Sequence, residues 1–151
     1  MTTDHKYQIV SNQDSFLSEI NEQILWDFYV KSGFIYPEKL EMLTPFKQEI
    51  LNTFNKILSC KDNTFKIFVA IKNRSIIGSI MASQFTDNTW VVQHLSVMPE
   101  HRLSSVAKNL LLAVNSRMMN NEDMSYFQNY FRPSGKRRPF AESCCVRSRQ
   151  T

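Results

Sequence analysis

Apolar positions recur every three to four residues through the first third of the chain. Phe16, Ile20, Ile24 and Phe28, with Leu17, Leu25 and Tyr29 beside them, mark one face of an amphipathic helix. Asp14 or Ser15 is placed to cap that helix and Gly33 to end it. KYQIV (6–10) ahead of it predicts a short first strand. FIYPEKLEML then reads as a link. Thr44 followed by Pro45 is a helix start, and Phe46, Ile50, Leu51, Phe54, Ile57 and Leu58 carry an apolar face to about Cys60. Packing accounts for the spacing of the aromatic residues on both faces, so they read as core.

The period changes after the polar stretch 61–64. FKIFVAIK (65–72) and IIGSIMASQF (76–85) are β-branched and aromatic, and Asn73-Arg74-Ser75 turns the chain between them, which predicts a hairpin. Gly78 inside the second strand marks a bulge or a close backbone approach. Thr86-Asp87-Asn88 turns again, and TWVVQHLSVM (89–98) predicts a third antiparallel strand. Strict alternation there would set Val92, His94 and Ser96 on one side and Val91, Gln93, Leu95 and Val97 on the other. Pro99 stops the strand. A helix starts near Ser104–Ser105, buries Val106, Ala107, Leu110, Leu111 and Val114, and runs to about Met119. Met124–Phe131 predicts a further strand.

The order is therefore β-α-α-β-β-β-α-β, an α/β chain of the α+β layered kind with a mixed sheet. The step from strand 89–98 through the helix to strand 124–131 is a βαβ crossover. It makes those two strands parallel and puts a helix N-terminus at the mouth between them.

Length and charge narrow the function. The 151 residues suit one domain. No apolar run approaches the ~20 residues of a membrane span, and MTTDHKYQIV lacks the pattern of a secretory signal, so no membrane partner and a cytoplasmic address are expected. Cys60, Cys144 and Cys145 form no metal-ligand spacing and a poor disulfide framework, so three reduced thiols and no metal are expected. The net charge of +4 is a property of the C-terminal segment: residues 132–151 hold six basic residues against Glu142. The rest of the chain is close to neutral, which argues against a nucleic-acid partner for the domain. The division expected is a domain over 1–131 and a basic, irregular tail over 132–151.

The chemistry concentrates in VMPEHRLSSVAKNLL (97–111). A helix N-terminus exposes unpaired N–H groups and a partial positive charge, and so attracts phosphate. Ser104, Ser105 and Ala107 are small enough for a close approach to the backbone, and Arg102 and Lys108 add charge at the rim. A plain helix cap made by Ser104 or Ser105 explains the same letters.

In context, this stretch resembles the GNAT superfamily of acyl-CoA-dependent N-acetyltransferases. Their signature is an Arg/Gln-x-x-Gly-x-Gly/Ala loop after a strand ending in Leu-x-Val and a Pro-Glu-x-Arg turn. Here LSV (95–97), PEHR (99–102) and RLSSVA (102–107) stand in that order, with Ser105 in place of the first glycine. The hairpin with Gly78 also looks like the family's. The resemblance covers roughly residues 6–119.

It implies an N-acyltransferase with acetyl-CoA as cosubstrate and a small-molecule or protein amine as acceptor, which attacks the thioester directly. Leu95, Ser96 and Val97 would pair with the pantetheine arm. The N–H groups of Arg102, Leu103, Ser104, Ser105, Val106, Ala107 and Lys108 would hold the pyrophosphate. No catalytic acid or base is identified: His94 and Glu100 are candidates, and Tyr126 and Tyr130 fall in the last predicted strand. The family's final helix and strands are not readable after residue 131. That motivates an alternative, a non-catalytic or truncated domain of the same fold that binds acyl-CoA or a protein partner. A sheet edge left open by missing strands would also favour a homodimer.

Overall fold

The computed structural model describes residues 7–14, 17, 19–61, 64–119, 125–129 and 144–147. Their order is β1 (Gln8–Ser11), α1 (Glu22–Lys31), α2 (Pro37–Leu43), α3 (Lys47–Ser59), β2 (Phe65–Lys72), β3 (Ser75–Thr86), β4 (Thr89–Val97), α4 (Val106–Met119), β5 (Tyr126–Asn129) and β6 (Cys144–Arg147). The six strands form one sheet in sequence order. All neighbours are antiparallel except β4 and β5, which run parallel across the α4 crossover, as the βαβ pattern requires.

Local chemistry sets the boundaries. The β2–β3 hairpin turns on Asn73 and Arg74, both in the left-handed region (φ 51° and 62°), the two-residue geometry whose twist matches that of paired strands. Helix α1 starts later than the apolar period implies. The Asp14 carboxylate accepts from the Ser11 N–H and hydroxyl at 2.7 and 2.9 Å and closes the turn after β1 instead of capping a helix. Asn21 caps α1, its side-chain oxygen accepting from the Ile24 N–H. Ser15 and Phe16 lie outside the described residues.

The expected link at 34–43 holds a helix. Pro37 opens α2 at its first position, where no N–H is needed. Thr44 does not cap: its hydroxyl donates to the Leu40 carbonyl at 2.7 Å, and Thr44–Phe46 forms a 3-10 turn into α3. Within the tail expected to be irregular, Cys144–Arg147 pairs antiparallel with β5. Met124, Tyr130, Phe131 and the rest of the tail lie outside the described residues.

The sheet separates two apolar clusters. On one face α4 lays Val106, Leu110, Val114 and Met118 over Phe68, Ala70, Ile80, Ala82 and Trp90. On the other, Leu25, Phe28 and Tyr29 of α1 cover Ile67, Val69, Ile76 and Met81, with the apolar face of α3 packed alongside. No helix among the described residues is long and apolar enough to cross a membrane.

Gly78 shows why a strand residue is a glycine. A Cβ there would stand 2.7 Å from Val106 Cγ1 and 2.9 Å from Leu110 Cδ1, both fully buried. The register shift next to it adds a bulge, so both features expected of this position occur together. The missing side chain lets the first turn of α4 sit directly on β3. Gly78→Ala is expected to destabilise the fold by about 1–3 kcal/mol through overpacking, read as a lower urea midpoint at unchanged slope.

Candidate functional site

The site forms where β4 loses its regularity. Ser79 pairs with Ser96 and Met81 with Gln93, so His94 and Leu95 together stand opposite the single residue Ile80. This is a bulge, and His94 takes it up in the left-handed region at φ 59°. The bulge keeps the expected alternation within HLSV but shifts its phase against the first half of the strand, so that Val92 parts from His94 and Ser96. Val92 and Val97 both join the α4-side core, while His94 turns to the α1 face against Met81 and Ser96 reaches Ser32 at the end of α1. Among the described residues, β5 pairs with β4 only over Thr89–Val92. Among the described residues, Gln93, Ser96 and Val97 pair with β3 alone, and the outer backbone edge of Leu95–Val97 meets no described strand.

The chain after β4 delivers amides to the same end. Pro99–His101 forms a 3-10 turn, and the N–H groups of Arg102 and Ser104 are used inside the turn, on Pro99 and His101 carbonyls. Helix α4 makes its first backbone bond from Asn109 to the Ser105 carbonyl. The Val106 N–H donates to the Ser104 hydroxyl oxygen at 3.4 Å, and the N–H groups of Leu103, Ser105, Ala107 and Lys108 reach no acceptor among the described residues. The expected cradle is thus narrower than 102–108, because two of its amides are spent on the turn and a third on the Ser104 hydroxyl. The Ser104 hydroxyl is also engaged locally, donating to the His101 carbonyl at 2.6 Å.

Ser105 replaces a glycine of the family pattern without backbone strain, since its φ is not positive. Its hydroxyl lies 3.3 Å from the Tyr7 hydroxyl, which accepts from Asn109 Nδ2 at 2.6 Å. Neither Tyr7 nor Asn109 stands out in the sequence, because their only signal is this long-range contact.

Arg102 does more than add charge at a rim. Its guanidinium donates to the Ser32 carbonyl at 2.7 Å, at the C-terminal end of α1, where a cation also meets the negative end of the helix dipole. The Ser32 hydroxyl in turn accepts from Ser96 at 2.7 Å, with both serines buried. Ser32 therefore ties α1, the bulged strand and the amide-bearing turn together. Gly33 follows it at φ 77°.

An aromatic wall flanks the bulge on the α1 face. The His94 ring packs edge-on to Phe34 and Tyr29, with ring centroids at 5.1 and 6.4 Å, and Phe54 packs on Tyr29. Lys39 Nζ lies 4.4 Å over the Phe34 ring. Loss of hydration on its packed side, and then the Lys39 charge, hold His94 below the ordinary histidine range. Burial pushes the Tyr29 hydroxyl upward, and it bonds Ser79, so it stays a neutral phenol. Glu100 is exposed in the 3-10 turn and Tyr126 is exposed on β5. Leu103 is fully exposed and Lys108 exposed. No cluster of three or more metal-ligating side chains occurs among the described residues.

A mixed sheet with a parallel β4–β5 pair joined across α4, and a bulged β4 that leads into a turn and a helix start, defines the class of fold. The acetyltransferase (GNAT) family model matches residues 20–132, and the chain belongs to that family. No curated protein sequence matches the chain. Among solved structures it is similar to the PaiA N-acetyltransferase of Thermoplasma acidophilum in complex with coenzyme A (TM-score 0.59, 18% identity, over 84% of this chain and 81% of that one). It is similar also to a GNAT-family acetyltransferase of Staphylococcus aureus Mu50 (TM-score 0.57, 16% identity, over 82% and 72%). A third is the aminoglycoside N-acetyltransferase AAC(6')-Iy in complex with CoA (TM-score 0.55, 17% identity, over 87% and 82%). At these identities the likeness is one of fold.

The Ser32 junction has a measurable share in stability. Arg102→Ala is expected to cost about 1–2 kcal/mol, the low side of the range for a charged hydrogen bond because Arg102 is exposed to solvent. Arg102→Lys is expected to recover part of it, both read from urea unfolding curves.

Proposed function

We propose that this protein is an N-acyltransferase that moves an acetyl group from acetyl-CoA to a small-molecule amine by direct attack. The observation that carries this reading is the coincidence, at one end of β4, of a strand edge that meets no described strand and a turn whose Leu103, Ser105, Ala107 and Lys108 amides reach no acceptor among the described residues. The residues fit such a cosubstrate. Leu95, Ser96 and Val97 offer backbone groups to an amide-bearing arm. Leu103, Ser105, Ala107 and Lys108 offer N–H donors to a pyrophosphate, with the Lys108 ammonium nearby on the same turn. The small side chains of Ser104, Ser105 and Ala107 leave the backbone approachable, and the Ser105 hydroxyl is engaged with Tyr7. Acetyl-CoA, when bound, supplies an activated acyl carbon.

The chain's own part is chiefly to position and to polarise. A strand edge that ends in a bulge fixes an extended ligand in one register, and such pre-arrangement is a main source of rate in acyl transfer. Backbone donors held by the β3–β4 ladder need no reorganisation as charge develops on a carbonyl oxygen. The family relation and the CoA complexes of the structural neighbours support the acyl donor. The N-acetyltransferase neighbours support a small amine as acceptor.

Titrating acetyl-CoA into the protein calorimetrically tests the reading. Binding in the micromolar to low-millimolar range is expected. Ser105→Glu is expected to weaken it at least tenfold while leaving the melting temperature equal or higher. A carboxylate at this helix start repels pyrophosphate yet favours the helix dipole. Absence of binding to the wild type overturns the reading.

A further inference from the structure

The geometry points to His94 as the group that accepts the proton of the attacking amine. This assignment rests on the acyl-transfer reading and names a residue for its missing base. His94 is the first residue of the bulge, directly before the Leu95–Val97 edge that meets no described strand, and its left-handed backbone turns the ring out of the strand alternation. A regular strand would carry the side chain at this position differently. A β-bulge that re-aims one side chain beside an opening is a feature with a use.

The contacts decide which nitrogen is available. Nδ1 lies 3.3 Å from the Met81 thioether sulfur. A thioether offers only lone pairs, so this contact holds the proton on Nδ1 and leaves the lone pair on Nε2. Among the described residues no hydrogen bond to Nε2 is made, and His94 is an exposed residue. The titratable and charged groups facing the ring are the buried Tyr29 phenol from α1 and Lys39 from α2; β3 contributes Met81, and Phe34 packs from between α1 and α2. With Lys39 as the facing charge, the imidazole is neutral at physiological pH and ready to take a proton.

The step balances without another reactant. The amine nitrogen bonds to the acyl carbon, the carbon–sulfur bond breaks, and the electron pair leaves with the sulfur. One N–H proton passes to Nε2 of His94 and from there to solvent, while the thiolate takes up a proton from water.

The test uses the full chain with acetyl-CoA and phenethylamine, a primary amine whose ring suits the aromatic wall and which is not a polycation. His94→Asn is the variant of choice because asparagine accepts the left-handed backbone. It is expected to bind acetyl-CoA within about twofold of the wild type, to lose about 10²–10⁴-fold in kcat, and to lose the acid limb of the kcat/KM profile. Lys39→Gln is expected to keep the alkaline plateau. Removing a positive charge raises the His94 pKa, so both the acid limb and the His94 signal followed by NMR in the free protein move to higher pH. Wild-type transfer with an unchanged acid limb in His94→Asn overturns the assignment. So does a His94 signal that titrates at the ordinary histidine value or does not move in Lys39→Gln. A wild type that binds no acetyl-CoA overturns the acyl-transfer reading and this assignment with it.

Discussion

The bulge at His94–Leu95 is the constraint on which the site depends. A regular β4 would keep its side-chain phase from Trp90 to Val97 and leave no break between the half paired with β5 and the half paired with β3 alone. The extra residue shifts the phase once. Val97 then returns to the α4-side core with Val92, and Ser96 points to α1. A non-glycine residue in the left-handed region costs on the order of 1–2 kcal/mol. The surroundings hold it there: Met81 and the Phe34 and Tyr29 edges receive the ring, and the Ser96–Ser32 bond fixes the chain two residues later.

The Ser32 junction extends that constraint across the sheet. Its hydroxyl is held by the strand and its carbonyl by Arg102 of the turn. The aromatic wall begins two residues further on, at Phe34. A shift of the amide-bearing turn therefore pulls on the same backbone that carries the wall beside His94. The turn and the wall share one short peptide at the end of α1, joined by the bond from the exposed Arg102 to the Ser32 carbonyl.

What was legible in the sequence is what depends on local patterns. The β2–β3 hairpin, the strand at β4, the stop at Pro99, the α4 crossover and the parallel β5 all follow from period, turn residues and a single proline. Gly78 was legible as a tight approach, though not its partners Val106 and Leu110. The misses are of another kind. Pro37 was hidden because a single seven-residue helix shows too little periodicity to separate it from a link. Asp14 closes a turn instead of capping, a choice settled by the Ser11 hydroxyl three residues back. The bulge was invisible because HLSV reads as perfect alternation, and a lone histidine is only a weak signal for positive φ. Arg102, Tyr7 and Asn109 find their partners 70 to 102 residues away, beyond any local pattern.

Ser105 raises the question of what a glycine would contribute at the start of α4. It would not be conformational freedom, because the backbone there does not adopt a positive φ. What remains is space in front of the amides. Serine adds a Cβ and a hydroxyl, and here the hydroxyl is engaged by Tyr7 and lies near Asn109. The same hydroxyl also ties the helix start to β1 through the Tyr7 side chain. The residue that looks like a defect in the phosphate loop is thus a joint between the loop and the far edge of the sheet. Beyond it, the Ala107 and Lys108 amides reach no acceptor among the described residues, whereas the Val106 N–H is taken by the Ser104 hydroxyl.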